Sequence, residues 1–250
     1  MTRLLAIVIV LALAGAAGCG GDSGTPEPTG PPPPIAGASC RDDVGDGKQV
    51  RFGKDNYLAG VLMGHGGTGV LLAHQNQSDV CEWLPYGQEL ATKGYQVLAF
   101  DFNGEGASAG SVTTIAEDAA AAATYLKQQG VSKLILMGAS KGGTAVLAIV
   151  PDFRADVAGV VTFSSPTAFA GVDASAVPKT LTVPALYIAG DADGRFPTEA
   201  KYFYDYTPKG LGTLLILPSS AHGTRLLLAG AQHDQLVAAL DAFLAKIPPM

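Results

Sequence analysis

The segment Gly138-Ala139-Ser140-Lys141-Gly142-Gly143 constrains this chain more than any other. It follows the apolar run Lys133-Leu134-Ile135-Leu136-Met137 and precedes Thr144-Ala145-Val146-Leu147-Ala148-Ile149-Val150. A buried strand therefore runs into a helix through a turn containing one large side chain. The spacing is Gly-x-Ser-x-Gly. Glycines on either side of the serine let strand and helix approach without Cβ clashes. A helix that starts just after Ser140 offers unpaired N–H groups and the positive end of its dipole to a developing anion. Ser140 is the candidate nucleophile.

The rest of the chain repeats this strand-and-helix rhythm from about residue 41 onward. Lys48–Phe52 and Tyr57–Gly64 read as an opening antiparallel pair, and Thr68–His74 as a buried strand. Ser78-Asp79 is positioned to cap a helix through Glu82–Lys93, closed by Gly94. Tyr95–Phe100 follows as a strand. Thr114 and Glu117 have capping-box spacing at the start of an Ala-rich helix that runs to Gln129. Beyond the serine turn, Val157–Phe163, Ala185–Ala189 and Thr213–Leu217 read as strands. Leu236, Leu240, Phe243, Leu244 and Ile247 recur at helical spacing near the end. The alternation predicts an α/β fold, a mostly parallel central sheet with helices on both faces. The connection from Ser164 to Thr180 is too short for a large lid domain.

An activated serine needs a base, and the base an orienting group. Two of the four histidines, His222 and His233, follow Ser140. His222 lies just beyond the Thr213–Leu217 strand, where open parallel sheets place their sites. His233 opens the last helix and reads as a solvated surface residue. Asp191 and Asp193 both follow the Ala185–Ala189 strand. Each is also a good turn former, since Asp bonds its own backbone.

Taken together these segments resemble the α/β-hydrolase superfamily, with compact, lidless dienelactone-hydrolase-like relatives nearest in build. The resemblance covers about residue 57 to the end. It rests on the Gly-x-Ser-x-Gly turn and on Gly190-Asp191-Ala192-Asp193-Gly194-Arg195-Phe196-Pro197, which resembles the family's Gly-x-x-Asp-x-x-x-Pro. Gly69–His74 looks like the third strand, ending in a histidine, and Trp83–Asp101 like the next helix and strand. Asp101–Ser108 resembles the Asp-x-Arg-Gly-x-Gly-x-Ser loop, with Asn103 in place of Arg and Gln75-Asn76 in place of a glycine-rich turn. The resemblance implies a catalytic set of Ser140, Asp193 and His222, in the family's chain order. It selects Asp193 over Asp191. It implies an oxyanion hole made by the backbone N–H groups of Lys141 and Asn76, with Gln75 as the alternative to Asn76. His74 reads as structural. The Lys141 side chain reads as the exposed residue of the turn, although it could also attract an anionic substrate.

The N-terminus differs in kind. Arg3 precedes an apolar run from Leu4 to Ala14, and Ala16-Ala17-Gly18-Cys19 looks like a lipobox. Residues 1–18 are thus expected to be a lipoprotein signal peptide, with Cys19 the lipidated residue. Residues 19–40, with Pro31–Pro34 at their centre, read as a tether, and 41–250 as the hydrolase domain. Cys40 and Cys81 are expected to form a disulfide, because export permits oxidation.

These features imply an exported protein held at the cell membrane by its lipid. A net charge of −6 without a Lys/Arg cluster gives no footprint for nucleic acid. The His and Cys positions lack metal-ligand spacing, and there is no Walker-type phosphate loop, so neither metal nor cofactor is expected. The expected function is a serine hydrolase acting on a small acyl substrate through an acyl-enzyme. An esterase, a thioesterase or a peptidase would all use this machinery. The alternative is a lipid-anchored binding protein that keeps the fold without catalysis.

Overall fold

The computed structural model describes residue 40, residues 42–228 and residues 230–250. The expected signal peptide, Cys19 and all of the tether but Cys40 lie outside the described residues.

One eight-stranded sheet organises the domain. Its strands are β1 (Lys48–Phe52), β2 (Leu58–Met63), β3 (Thr68–Ala73), β4 (Gln96–Asp101), β5 (Lys133–Ala139), β6 (Val157–Phe163), β9 (Ala185–Gly190) and β10 (Gly212–Leu217). Their spatial order is β1-β2-β4-β3-β5-β6-β9-β10. β2 pairs antiparallel with both β1 and β4, and the other neighbours are parallel. The order reverses direction around β3 and β4, so the loops after β3 and β5 open beside each other at one edge.

Strand alternation divides the core into two layers, because successive side chains point to opposite faces. Val70 and Leu72, Val97 and Ala99, and Ile135 and Met137 pack under α1 (Leu84–Thr92) and α5 (His233–Leu244). Leu71 and Ala73, Leu98 and Phe100, and Leu134 and Leu136 pack on the other face. That face is covered by α2 (Ile115–Gln128), α3 (Lys141–Ala148) and α4 (Phe196–Tyr206). Both faces of the central strands are therefore buried, which is why they read as unbroken apolar runs.

Local chemistry sets the element ends. The Thr114–Glu117 capping box forms in full: Thr114 Oγ1 accepts from the Glu117 N–H, and the Glu117 carboxylate accepts from the Thr114 N–H at 2.7 Å. The expected helix over 82–93 is divided. A short 3₁₀ turn spans Val80–Glu82, and the α-helix begins at Leu84. Pro85 stands in the first turn of α1, where its missing N–H costs nothing. Asp79 caps the 3₁₀ turn through the Cys81 N–H, whereas the Ser78 hydroxyl turns to Glu82 at 2.6 Å.

Several shorter elements escape the sequence pattern. α4 buries only Ala200 and Phe203, too sparse a stripe to register as periodicity. The connection after β6 carries a small hairpin, β7 (Ala168–Phe169) with β8 (Val172–Asp173), and a 3₁₀ turn over Val177–Thr180, with no lid domain. Cys40 and Cys81 are disulfide-bonded, with Cα atoms 5.4 Å apart. The bridge ties the start of the described chain to the turn before α1.

Candidate active site

β5, β6, β9 and β10 are parallel neighbours, so their C-terminal ends share one edge of the sheet. The residues just past those ends are Ser140, Ser164, Asp191–Asp193 and the Pro218–His222 loop. Residues far apart in sequence thus come to one edge of the sheet because their strands are parallel neighbours.

Ser140 sits at φ 49°, ψ −119°, between the last residue of β5 and the first of α3. Such a conformation costs a non-glycine residue roughly 1–3 kcal/mol, and it persists only where surroundings over-determine it. They do so here. The Ser140 N–H donates to the Phe163 carbonyl at 2.7 Å, and its carbonyl accepts from Gly143 at 2.9 Å. The three glycines of the turn are required by contact. A Cβ at Gly138 would lie 2.3 Å from the Gly142 carbonyl, one at Gly142 2.2 Å from the Ala73 carbonyl oxygen, and one at Gly143 1.6 Å from Ser165 Oγ. Ser140 itself is only 7 % exposed.

His222 Nδ1 lies 3.0 and 3.1 Å from the two Asp193 oxygens. That arrangement engages Nδ1 and leaves Nε2 outside the pair with Asp193. Phe196 packs against the imidazole with ring centroids 4.4 Å apart. Asp191 is engaged elsewhere: its carboxylate accepts from the Ser219 N–H at 3.0 Å and so closes the loop that presents His222. The histidine loop abuts the serine turn, since a Cβ at Gly223 would lie 3.4 Å from Ala139 Cβ. His233 is half-buried rather than solvated, with Nδ1 3.1 Å from the Leu227 carbonyl.

A residue that sequence reading left unassigned holds this loop in place. Ser164, fully buried and at φ 49°, accepts from the Gly223 N–H through its hydroxyl at 3.0 Å. Nothing in Phe163-Ser164-Ser165-Pro166 signals that role, because a positive φ at serine has no local sequence signature.

The backbone donors also separate. The Gln75 N–H donates to Glu82 Oε1 at 2.8 Å and is spent there. Among the described residues no hydrogen bond engages the N–H groups of Asn76 or Lys141. His74 is fully buried. The Phe102 N–H donates to its Nε2 at 3.0 Å, so Nδ1 carries the proton and donates to the Gln75 carbonyl at 2.7 Å. Burial, reinforced by the Lys141 charge, pulls its pKa from 6.5 down to about 3, and the ring stays neutral.

Lys141 corrects an expectation. Its side chain is 4 % exposed, not free in solvent. It folds beneath the loop after β4, pairs with Glu105, and places its ammonium 4.5 Å from the centre of the Phe102 ring. Burial lowers its pKa below the ordinary lysine value, and Glu105 partly offsets that. No charge is left here to attract a substrate anion.

That loop is itself closely hydrogen-bonded. Asp101 accepts from the Val80 and Ala107 N–H groups at 2.7 and 2.8 Å, and burial raises its pKa to about 6. Asn103, standing where the resemblance has Arg, braces the loop on Thr113 and Ser111.

Residues 68–179 match the family described as Serine aminopeptidase, S33, which spans less than half of the chain. An esterase from Thermogutta terrifontis superposes with a TM-score of 0.65 at 18% identity, over 80% of this chain and 99% of its own. The fold is that of the α/β-hydrolases. A monoacylglycerol lipase from Paleococcus ferrophilus gives 0.66 at 16% identity, covering 76% of this chain and 99% of that one. An esterase from Pyrococcus furiosus gives 0.66 at 18%, covering 83% and 95%. No curated protein matches the sequence.

Proposed function

We propose that this α/β-hydrolase cleaves ester bonds through an acyl-enzyme on Ser140. His222 Nε2 takes the hydroxyl proton as Ser140 Oγ attacks the acyl carbon. Asp193 holds the imidazole in the tautomer that leaves Nε2 free to accept, and balances the imidazolium that forms. The Asn76 and Lys141 N–H groups receive the oxyanion. His222 then protonates the leaving alkoxide, and water, deprotonated by His222, releases the acid. The observation that carries this reading is the strained turn at Ser140 lying against the loop on which His222 is hydrogen-bonded to Asp193.

The esterases and the lipase of the same fold favour an ester, whereas the family description favours a peptide amide. The absence of a lid domain among the described residues supports small or extended substrates in the dienelactone-hydrolase manner. A fluorophosphonate probe should label the purified protein, and Ser140→Ala should abolish both labelling and turnover. Absence of wild-type labelling would sink the reading and favour a binding protein. p-Nitrophenyl esters of graded length, a thioester and an aminoacyl p-nitroanilide then sort the leaving group; faster anilide turnover would assign a peptidase.

The lipoprotein signal supports placement at the outer face of the cell membrane, anchored through Cys19. Metabolic labelling with an alkynyl fatty acid should mark the chain and be lost in Cys19→Ser.

A further inference from the structure

Both groups proposed as oxyanion donors belong to chain segments that share no secondary-structure element. Asn76 lies in the turn after β3, and Lys141 opens α3. One carboxylate joins them. Glu105 Oε1 accepts from the N–H of Gln77, the residue after Asn76, at 3.3 Å. Glu105 Oε2 pairs with the ammonium of Lys141, the residue after Ser140. We propose that Glu105 is a positioning residue that buckles the two halves of the oxyanion hole together, with the buried Lys141 side chain as its clasp.

The geometry around Glu105 suits a fixed strut. Its own N–H donates to the Phe102 carbonyl at 2.9 Å, and its carbonyl accepts from Ser108 at 3.0 Å. Gly106, the next residue, sits at φ +51°, and a Cβ there would lie 2.3 Å from the Asp101 carboxyl. The Asp101 contacts hold the loop from beneath, so Glu105 is presented by backbone anchored on both sides. On the other side, Gln77 adopts φ 57°, an unfavourable conformation for glutamine that needs an external constraint. The Glu105 carboxylate supplies one. The Lys141 ammonium is too buried to be held by water, so its charge needs this partner.

The inference rests on reading Ser140 as nucleophile with Asn76 and Lys141 as donors. Removing such a donor outright costs about 100- to 1,000-fold in kcat. A donor that is displaced but still present should cost less, about 10- to 100-fold. The experiment compares wild type, Glu105→Gln, Lys141→Met, Lys141→Arg and the double variant Glu105→Gln/Lys141→Met. Turnover of a p-nitrophenyl ester is divided by sites titrated to completion with a fluorophosphonate, so unfolded protein drops out of the ratio. Glu105→Gln and Lys141→Met should each lower kcat about 10- to 100-fold with KM changed less than about threefold. The double variant should be no worse than the poorer single, and Lys141→Arg should recover most of kcat. Affinity for a boronic acid, which mimics the tetrahedral intermediate, should fall in step with kcat. Unchanged kcat per titrated site in both single variants, with only the melting temperature lowered, would overturn the proposal while leaving Ser140 as nucleophile. Absence of wild-type labelling would instead remove the reading on which it stands. If Glu105→Gln does not fold, Lys141→Met and its arginine control read the same pair from the other side.

Discussion

The serine turn and the histidine loop meet at one edge of the sheet but are held by different means. Ser140 is fixed mainly by backbone pressed on backbone: Gly138 and Gly142 face main-chain atoms, Gly143 faces the Ser165 side chain, and β3, β5 and β6 all crowd the turn. His222 is held by side chains. Asp193 orients it, Phe196 packs on its ring, and Ser164 anchors the next residue through one hydroxyl. Its side chain keeps 29% of its exposure, whereas Ser140 is almost enclosed. A nucleophile set by close packing has one available position, while a base set by polar contacts can be retuned one contact at a time.

That contrast can be broken most directly at Asp193. Asp193→Asn should lower kcat about 10⁴-fold with the fold intact, because the amide favours the wrong imidazole tautomer. Wild-type turnover in this variant would mean that the histidine loop needs no carboxylate. On the serine side, Gly142→Ala forces α3 or the end of β3 to move, because backbone rather than a flexible side chain occupies the space. Chemical denaturation should show about 1–3 kcal/mol lost, and a donor moved by about 1 Å should cost roughly 100-fold in kcat. If kcat survives with stability alone reduced, the turn is less rigidly specified than its contacts imply.

Ser164→Ala tests the polar side with a smaller change. It leaves the buried Gly223 N–H without its acceptor and should cost about 1–3 kcal/mol, with kcat lowered less than tenfold. The effect with the least bearing on turnover concerns acid stability at the serine side, where His74 lies under the turn. The pKa of His74 is near 3 in the folded protein against 6.5 when exposed, so between those values only the unfolded chain takes up the proton. Stability is therefore lost as pH falls through that window. The wild-type minus His74→Gln difference in unfolding free energy should grow by about 1.4 kcal/mol per unit as pH rises from 3 to 6.5. Asp101 works in the opposite sense: its raised pKa stabilises the fold at low pH, and the benefit is lost as pH rises through about 6. Wild type alone should thus show a flatter profile than either group would give, and the variant uncovers the Asp101 slope.

Much of the sheet was legible because its central strands are buried on both faces and carry unbroken apolar runs. The short helices were harder to read. α4 offers only two buried positions, and Pro85 splits an apparently continuous helix between Glu82 and Leu84. At the site, the order of Ser140, Asp193 and His222 could be read from motifs next to strand ends. Lys141 was misread because a charged residue in a turn is ordinarily solvated, and its partner Glu105 is 36 positions away.

By itself, then, the sequence determined where strands end and that Ser140, the Asp191 and Asp193 pair and His222 follow them, since glycine spacing and apolar runs are local properties. Only the tertiary structure decided which carboxylate faces His222, that Ser164 supports the loop beside it, and that Lys141 lies buried against Glu105. Those choices depend on which strands become neighbours, and neighbours in a parallel sheet are set by crossovers many residues long.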